Sequence, residues 1–139
     1  MIILDTNVIS EPLKPKADAA VVAWLDRQDA ETLFLTATNL SELLVGIELL
    51  PSGKRKKGMA AAMEKLLARL FADRFLAFDR EAASAYAFLI SRAIAKGYVI
   101  GVADGQIAAI AAVHGFTIAT RDTAPFRAAG VPIINPWEI

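Results

Sequence analysis

The chain has 139 residues, about one domain's worth, and can bury a core without disulfide or metal staples. Fifteen basic and fifteen acidic side chains cancel, which excludes a strongly basic nucleic-acid coat, and 55% apolar against 22% charged residues exclude a disordered segment. There is no cysteine and one histidine, His114, so thiolate nucleophiles, Cys-ligated zinc and two-histidine mechanisms fall away and the acids are left to carry chemistry.

Met1–Leu4 is apolar, but Asp5 follows at once and no basic segment precedes it, so no signal peptide is expected. The longest stretch without Asp, Glu, Lys or Arg, Gly105 to Thr120, is shorter than a membrane span. The expectation is a soluble cytoplasmic protein.

Ile2-Ile3-Leu4 is short and β-branched and predicts a buried strand, broken by Asp5-Thr6-Asn7. Helical stretches follow at Val8–Leu13, stopped by Pro15, and Ala17–Gln28, where Val21, Val22, Trp24 and Leu25 make an apolar face. Leu33–Thr36 predicts the second strand. Asn39 opens a helix to Leu50, ended by Pro51-Ser52-Gly53. A helix from about Met59 to Phe71 leads to a third strand, Phe75–Phe78. Asp79 then caps a long helix, Arg80–Lys96, closed by Gly97. A helix over Ala103–His114, closed by Gly115, precedes strand four (Phe116–Ala119). Strand five is Val131–Ile134, closed by Asn135-Pro136. No repeat, linker or low-complexity tract interrupts the chain, which reads as a single domain over 1–139.

Short apolar strands alternating with helices predict an α/β fold, a parallel sheet covered on both faces. Ligands of such sheets bind at the carboxyl ends of the strands. That rule sorts the acids. Asp5 follows strand one and Asp122 follows strand four. Glu42 lies in the first turn after strand two. Asp104 opens the helix that leads into strand four, and its N-terminus lies at the same edge. Four acids from four distant segments thus share one edge, where a hard divalent cation such as Mg²⁺ or Mn²⁺ is the natural compensation. Each also has a structural reading. Glu42 closes an Asn39-x-x-Glu42 capping box, Asp104 favours the helix dipole, Asp122 is a turn residue, and Asp5 forms an Asx-turn. Asp79 is assigned to capping alone, and the remaining acids to polar helix faces and turns.

Leu4-Asp5-Thr6-Asn7, Asn39-Leu40-Ser41-Glu42-Leu43, Ala103-Asp104-Gly105-Gln106-Ile107-Ala108-Ala109 and Ala119-Thr120-Arg121-Asp122, in this order along the whole chain, resemble the PIN-domain ribonucleases that serve as VapC toxins of toxin–antitoxin pairs, nearest their FitB-like branch. The resemblance implies a three-layer α/β/α sandwich with a five-stranded parallel sheet of order 3-2-1-4-5. It implies Mg²⁺-dependent endoribonuclease activity, with Mn²⁺ able to substitute. Asp5 and Asp104 would hold the metal, and Glu42 and Asp122 would complete the catalytic acids. Thr6, Asn7, Thr120 and Arg121 would position substrate. Many members carry asparagine at the place of Asp122 and an acid three residues on, where this chain has Pro125. The chemistry is consistent: a divalent ion neutralises the phosphodiester and activates a water as nucleophile.

The resemblance also implies RNA as substrate, a cognate VapB-like antitoxin, and a homodimer able to enter a higher toxin–antitoxin assembly. An acidic pocket invites an antitoxin arginine to pair with Asp5 or Asp104 in place of the metal. The other route to inhibition is coverage of an apolar groove near the Asn39–Leu50 helix. The basic run Lys54–Lys57 is placed at a solvated hairpin tip on the order of 18 Å from the acidic edge, with distant contact to RNA phosphates as its second reading. His114 is read as a helix C-terminal cap, Trp24 and Trp137 as packing residues, and Arg121 as the neutraliser of Asp122. Two other readings stand beside this one. A haloacid-dehalogenase-like phosphatase would use Asp5 as nucleophile, but it wants Asp-x-Asp and Asn7 fills the third place. A non-catalytic module would use the acids only to dock a basic partner.

Overall fold

A computed structural model describes all 139 residues. In chain order the elements are β1 (Ile2–Leu4), α1 (Thr6–Ser10) with a 3₁₀ turn at Glu11–Leu13, α2 (Ala19–Asp26), a 3₁₀ turn at Ala30–Thr32, β2 (Leu33–Thr36), α3 (Ala37–Glu48), α4 (Lys54–Phe71), β3 (Phe75–Leu76), α5 (Arg80–Ala95), α6 (Val102–His114), β4 (Thr117–Ala119), α7 (Ala124–Ala129) and β5 (Ile133–Ile134). The five strands form one sheet of order β3-β2-β1-β4-β5, every pairing parallel. This is the order the resemblance implied. No helix is long and apolar enough to cross a membrane.

Both faces of the sheet are buried, so successive strand residues serve opposite cores. On β1, Leu4 enters one core and Ile3 the other; on β4, Ala119 and Ile118 divide the same way. The first core packs α1 to α4 through Val8, Val21, Trp24, Leu43, Met63 and Phe71. The second packs α5 to α7 through Ala82, Ile107, Ile110 and Phe126. Gly105 lets α6 approach α5 closely: a Cβ there would stand 2.7 Å from the Tyr86 ring.

Several boundaries differ from expectation. The Val8–Leu13 stretch is a short α-helix that starts earlier, at Thr6, and tightens into a 3₁₀ turn at Glu11-Pro12-Leu13. The Ala17–Gln28 helix is shorter, because Asp18 caps it by accepting from the Ala20 and Val21 amides. Strands three and five are two residues each. Helix α7 was not expected. It has six residues, with Pro125 at its start and Gly130 in the left-handed conformation at its end (φ 78°), signals too closely spaced to register as a periodic segment. The Lys54–Lys57 run is not a hairpin tip but the first turn of α4, since the turn is completed at Gly53 (φ 143°). Lys56 Nζ donates to the Glu48 carbonyl oxygen at 2.9 Å and so closes the end of α3. Glu11 is no surface acid either: it is buried, accepts from the Asp18 amide at 3.0 Å and pairs with Lys14 at 3.0 Å.

Asp79 does cap α5, accepting from the Ala82 amide at 2.9 Å. Gly115, left-handed at φ 69°, caps α6, and His114 is its last helical residue, resting on the Phe116 ring. Trp24 is buried in the first core and Trp137 packs on it.

Candidate active site

Asp5 and Thr120 stand on neighbouring strand ends. The β1–β4 ladder runs on into Asp5, whose amide donates to the Ala119 carbonyl oxygen at 2.9 Å, and the Thr120 amide donates to Ile134 at 2.9 Å. This brings the Thr120 hydroxyl within 2.7 Å of Asp5 Oδ2, to which it donates. Asp5 Oδ1 accepts from the Thr6 amide at 2.9 Å and from Asn39 Nδ2 at 3.0 Å. Asn7 Nδ2 reaches Asp5 Oδ2 at 3.4 Å and Thr120 Oγ1 at 3.3 Å, while Asn7 Oδ1 accepts from the Arg121 amide at 3.2 Å. Asp5 is thus the N-cap of α1 and also the hub of a network joining three strand ends.

Only five polar or charged residues are buried in the whole chain, and four of them, Asp5, Thr36, Asn39 and Thr120, belong to this network. Buried polar groups persist where every bond is made, and such a network fixes its members rigidly. Asn39 was missed as a site residue because its spacing to Glu42 imitates a capping box. The cap of α3 is in fact Thr36, whose hydroxyl accepts from the Asn39 amide at 3.0 Å and donates to Asn39 Oδ1 at 2.6 Å. With its carbonyl so held, the Asn39 amide group points at Asp5 and at Thr6 Oγ1, 3.2 Å away. Glu42 therefore caps nothing. It accepts from the Thr6 hydroxyl at 3.0 Å, which ties it to the Asp5 cluster.

Asp104 sits in the first turn of α6. Its pKa is raised to about 6, first by burial and then by the charges of Asp5, Asp122 and Glu42. Asp5 is raised as well: burial outweighs the hydrogen bonds from Thr120, Thr6 and Asn39, and Asp122 adds to the rise. The four sequence-predicted acids therefore feel one another across a single site. No three of them converge closely enough to enclose an ion as the side chains stand. Glu42 is turned to Thr6, and both Asp5 oxygens are engaged. Among the predicted positioning residues, Thr6, Asn7 and Thr120 spend their polar groups on the acids. Arg121 makes no ion pair with Asp122; its guanidinium lies over the Trp137 ring, 5.1 Å from the centroid.

A groove of about 340 Å³ opens beside Thr6 and Glu42 and is floored by Leu43, Ile47, Met59 and Met63. Arg55 lines its side. One member of the basic run thus shares a groove with Thr6 and Glu42.

The PIN domain model matches residues 2–131. The chain belongs to the PIN-domain family. Within that family it is 51% identical to a VapC ribonuclease of Sinorhizobium fredii and 48% identical to toxin FitB of Neisseria gonorrhoeae, each over 99% of both chains. The crystal structure of FitAcB from Neisseria gonorrhoeae matches this PIN domain with a TM-score of 0.95 at 47% identity, covering 100% of both chains.

Proposed function

We infer that this protein is the toxin of a toxin–antitoxin pair, a cytoplasmic endoribonuclease whose 139 residues form one PIN domain. The observation that carries this reading is the buried network that holds Asp5 at the carboxyl edge of the sheet, facing an Asp104 whose pKa is raised to about 6 by burial and by three other carboxylates. PIN ribonucleases depend on divalent metal ions, and the donor set here is all oxygen, as Mg²⁺ prefers. The mutual repulsion of the four acids is what such a cation relieves. Asp5 and Asp104 would hold it, with Glu42 and Asp122 alongside. The chemistry such a cation would supply when bound is neutralisation of the phosphodiester charge and acidification of a water.

The chain's own side chains do the rest. Thr120, Asn39 and the Thr6 amide fix the Asp5 carboxylate in one orientation. Thr6 holds Glu42, which is exposed and able to guide a water to the phosphate. Arg121, supported on Trp137, presents its guanidinium to a phosphate oxygen. A phosphatase using Asp5 as nucleophile fits poorly, because Asn7 is bonded where a second acid would stand.

The apolar groove beside Glu42 suits a cognate antitoxin segment, and the acids next to it suit an arginine from that segment. The likeness to FitAcB supports an assembly with an antitoxin, in which this chain would act as a homodimer. The test is direct: purified protein, freed of any antitoxin, is expected to cut RNA with Mg²⁺ or Mn²⁺ and to stop in EDTA. Undiminished cleavage in chelator would refute the reading.

A further inference from the structure

A second cleft lies outside the acidic site. It has a volume of about 660 Å³ and runs between the C-terminal half of α5 and the length of α7. Arg92, Lys96 and Arg127 line it, together with the aromatic rings of Phe88 and Tyr98, and no acid does. In a chain of zero net charge, three cations around one cleft without a carboxylate are a local concentration, not a background. The chain's two ion pairs, Lys14–Glu11 and Lys56–Glu48, involve none of them. Phe88 and Tyr98 are 59% and 52% exposed, so ring faces of both are open to solvent. Arg92 is held over the Phe88 ring, 5.3 Å from the centroid.

Cations interleaved with exposed rings are what single-stranded nucleic acid needs: charge for the backbone and flat faces for the bases. The cleft also lies in the right place. Its lining begins at Thr123, the residue after Asp122, and continues along α7 through Arg127 to Gly130. One end of its lining is therefore next in sequence to an acid of the site. We propose that this cleft is an RNA-binding tract, which grips the substrate strand beyond the scissile bond through Arg92, Lys96 and Arg127 and stacks bases on Phe88 and Tyr98. The proposal rests on the ribonuclease reading and extends it by saying where the strand runs.

The test uses Arg92→Ala/Arg127→Ala in the full chain. These side chains are exposed and outside both cores, and Arg92→Lys/Arg127→Lys keeps the charge if the alanine form misfolds. Binding of a fluorescein-labelled single-stranded RNA is followed by anisotropy against salt, in an Asp104→Asn background to prevent cutting. The alanine pair is expected to weaken binding roughly tenfold and to flatten the logarithmic salt slope by about 1–2, with the lysine pair near the parent. Lys54→Ala/Lys57→Ala, equal in charge change and remote from the cleft, is expected to leave both unchanged. An unchanged affinity in the alanine pair, or an equal loss in the Lys54/Lys57 pair, would overturn the tract. If the unmutated protein neither binds nor cuts RNA, the ribonuclease reading itself fails, which is a different result. Loss of binding to an acidic polypeptide (polyglutamate) with RNA binding intact would assign the cleft to a protein partner and also overturn the proposal.

Discussion

The two sides of the acidic cleft are built on opposite principles. On the Asp5 side every carboxylate oxygen has donors, and Thr36, Asn39, Thr120 and Asn7 hold one another as well as Asp5. On the Asp104 side the carboxyl is perturbed by burial and like charge alone, with no hydrogen bond to offset them. The first side is rigid before any ligand arrives. The second is left electrostatically unsatisfied, and a cation would satisfy it. An active site gains from this division: one acid sets the geometry, and its neighbours supply attraction for the metal.

Asp5→Asn and Asp104→Asn are each expected to lower RNA cleavage on the order of a hundredfold or more, since each deletes the charge of a proposed metal ligand. Their stabilities should diverge. Asp104→Asn removes repulsion and should raise the melting temperature of the metal-free protein at neutral pH. Asp5→Asn turns an NH₂ group toward existing donors and should lower it, by about 1–3 kcal/mol of stability. Chemical denaturation alongside cleavage assays separates the two. If both variants shift stability in the same direction, the contrast between the sides is wrong.

A smaller effect is expected from Asn39→Ala. It leaves Asp5 Oδ1 with one donor fewer and Thr36 without its partner. Cleavage should fall roughly 10- to 100-fold, with about 1–3 kcal/mol of stability lost. Wild-type activity in this variant would mean that the network supports the fold alone.

The smallest effect is in the pH dependence of stability. A carboxyl whose folded pKa is raised from 3.8 to about 6 binds its proton more tightly in the folded state. Asp104 therefore costs nothing below about pH 4, and its penalty grows as pH rises to about 6 and stays constant above. The stability gap between Asp104→Asn and the parent should open over that window, reaching about 1–2 kcal/mol, less than the full shift would give because Asp104 is partly solvated. A pH-independent gap, measured in EDTA, would show that Asp104 does not titrate there.

Much of this was legible in the sequence, for identifiable reasons. The strands announced themselves because residues buried on both faces leave short apolar runs, and the carboxyl-edge rule then gathered Asp5, Glu42, Asp104 and Asp122 without any contact information. Helix α7 was hidden because six residues hold too little periodicity. The Asp5 network was hidden because its bonds join residues 34 and 115 positions apart, as with Asn39 and Thr120. Asn39 itself was misread because Thr36, the true cap, lies at the end of an apolar strand run where no cap was sought.

On this reading the repelling acids are held in wait for a divalent cation. Thermal unfolding of the antitoxin-free protein across a Mg²⁺ titration at neutral pH and fixed ionic strength, with Asp104→Asn in parallel, tests it without relying on activity. The parent should gain roughly 8 °C at a hundredfold excess of Mg²⁺ over its dissociation constant, and Asp104→Asn should lose most of that gain. An equal gain in both proteins, or none in the parent, would contradict it.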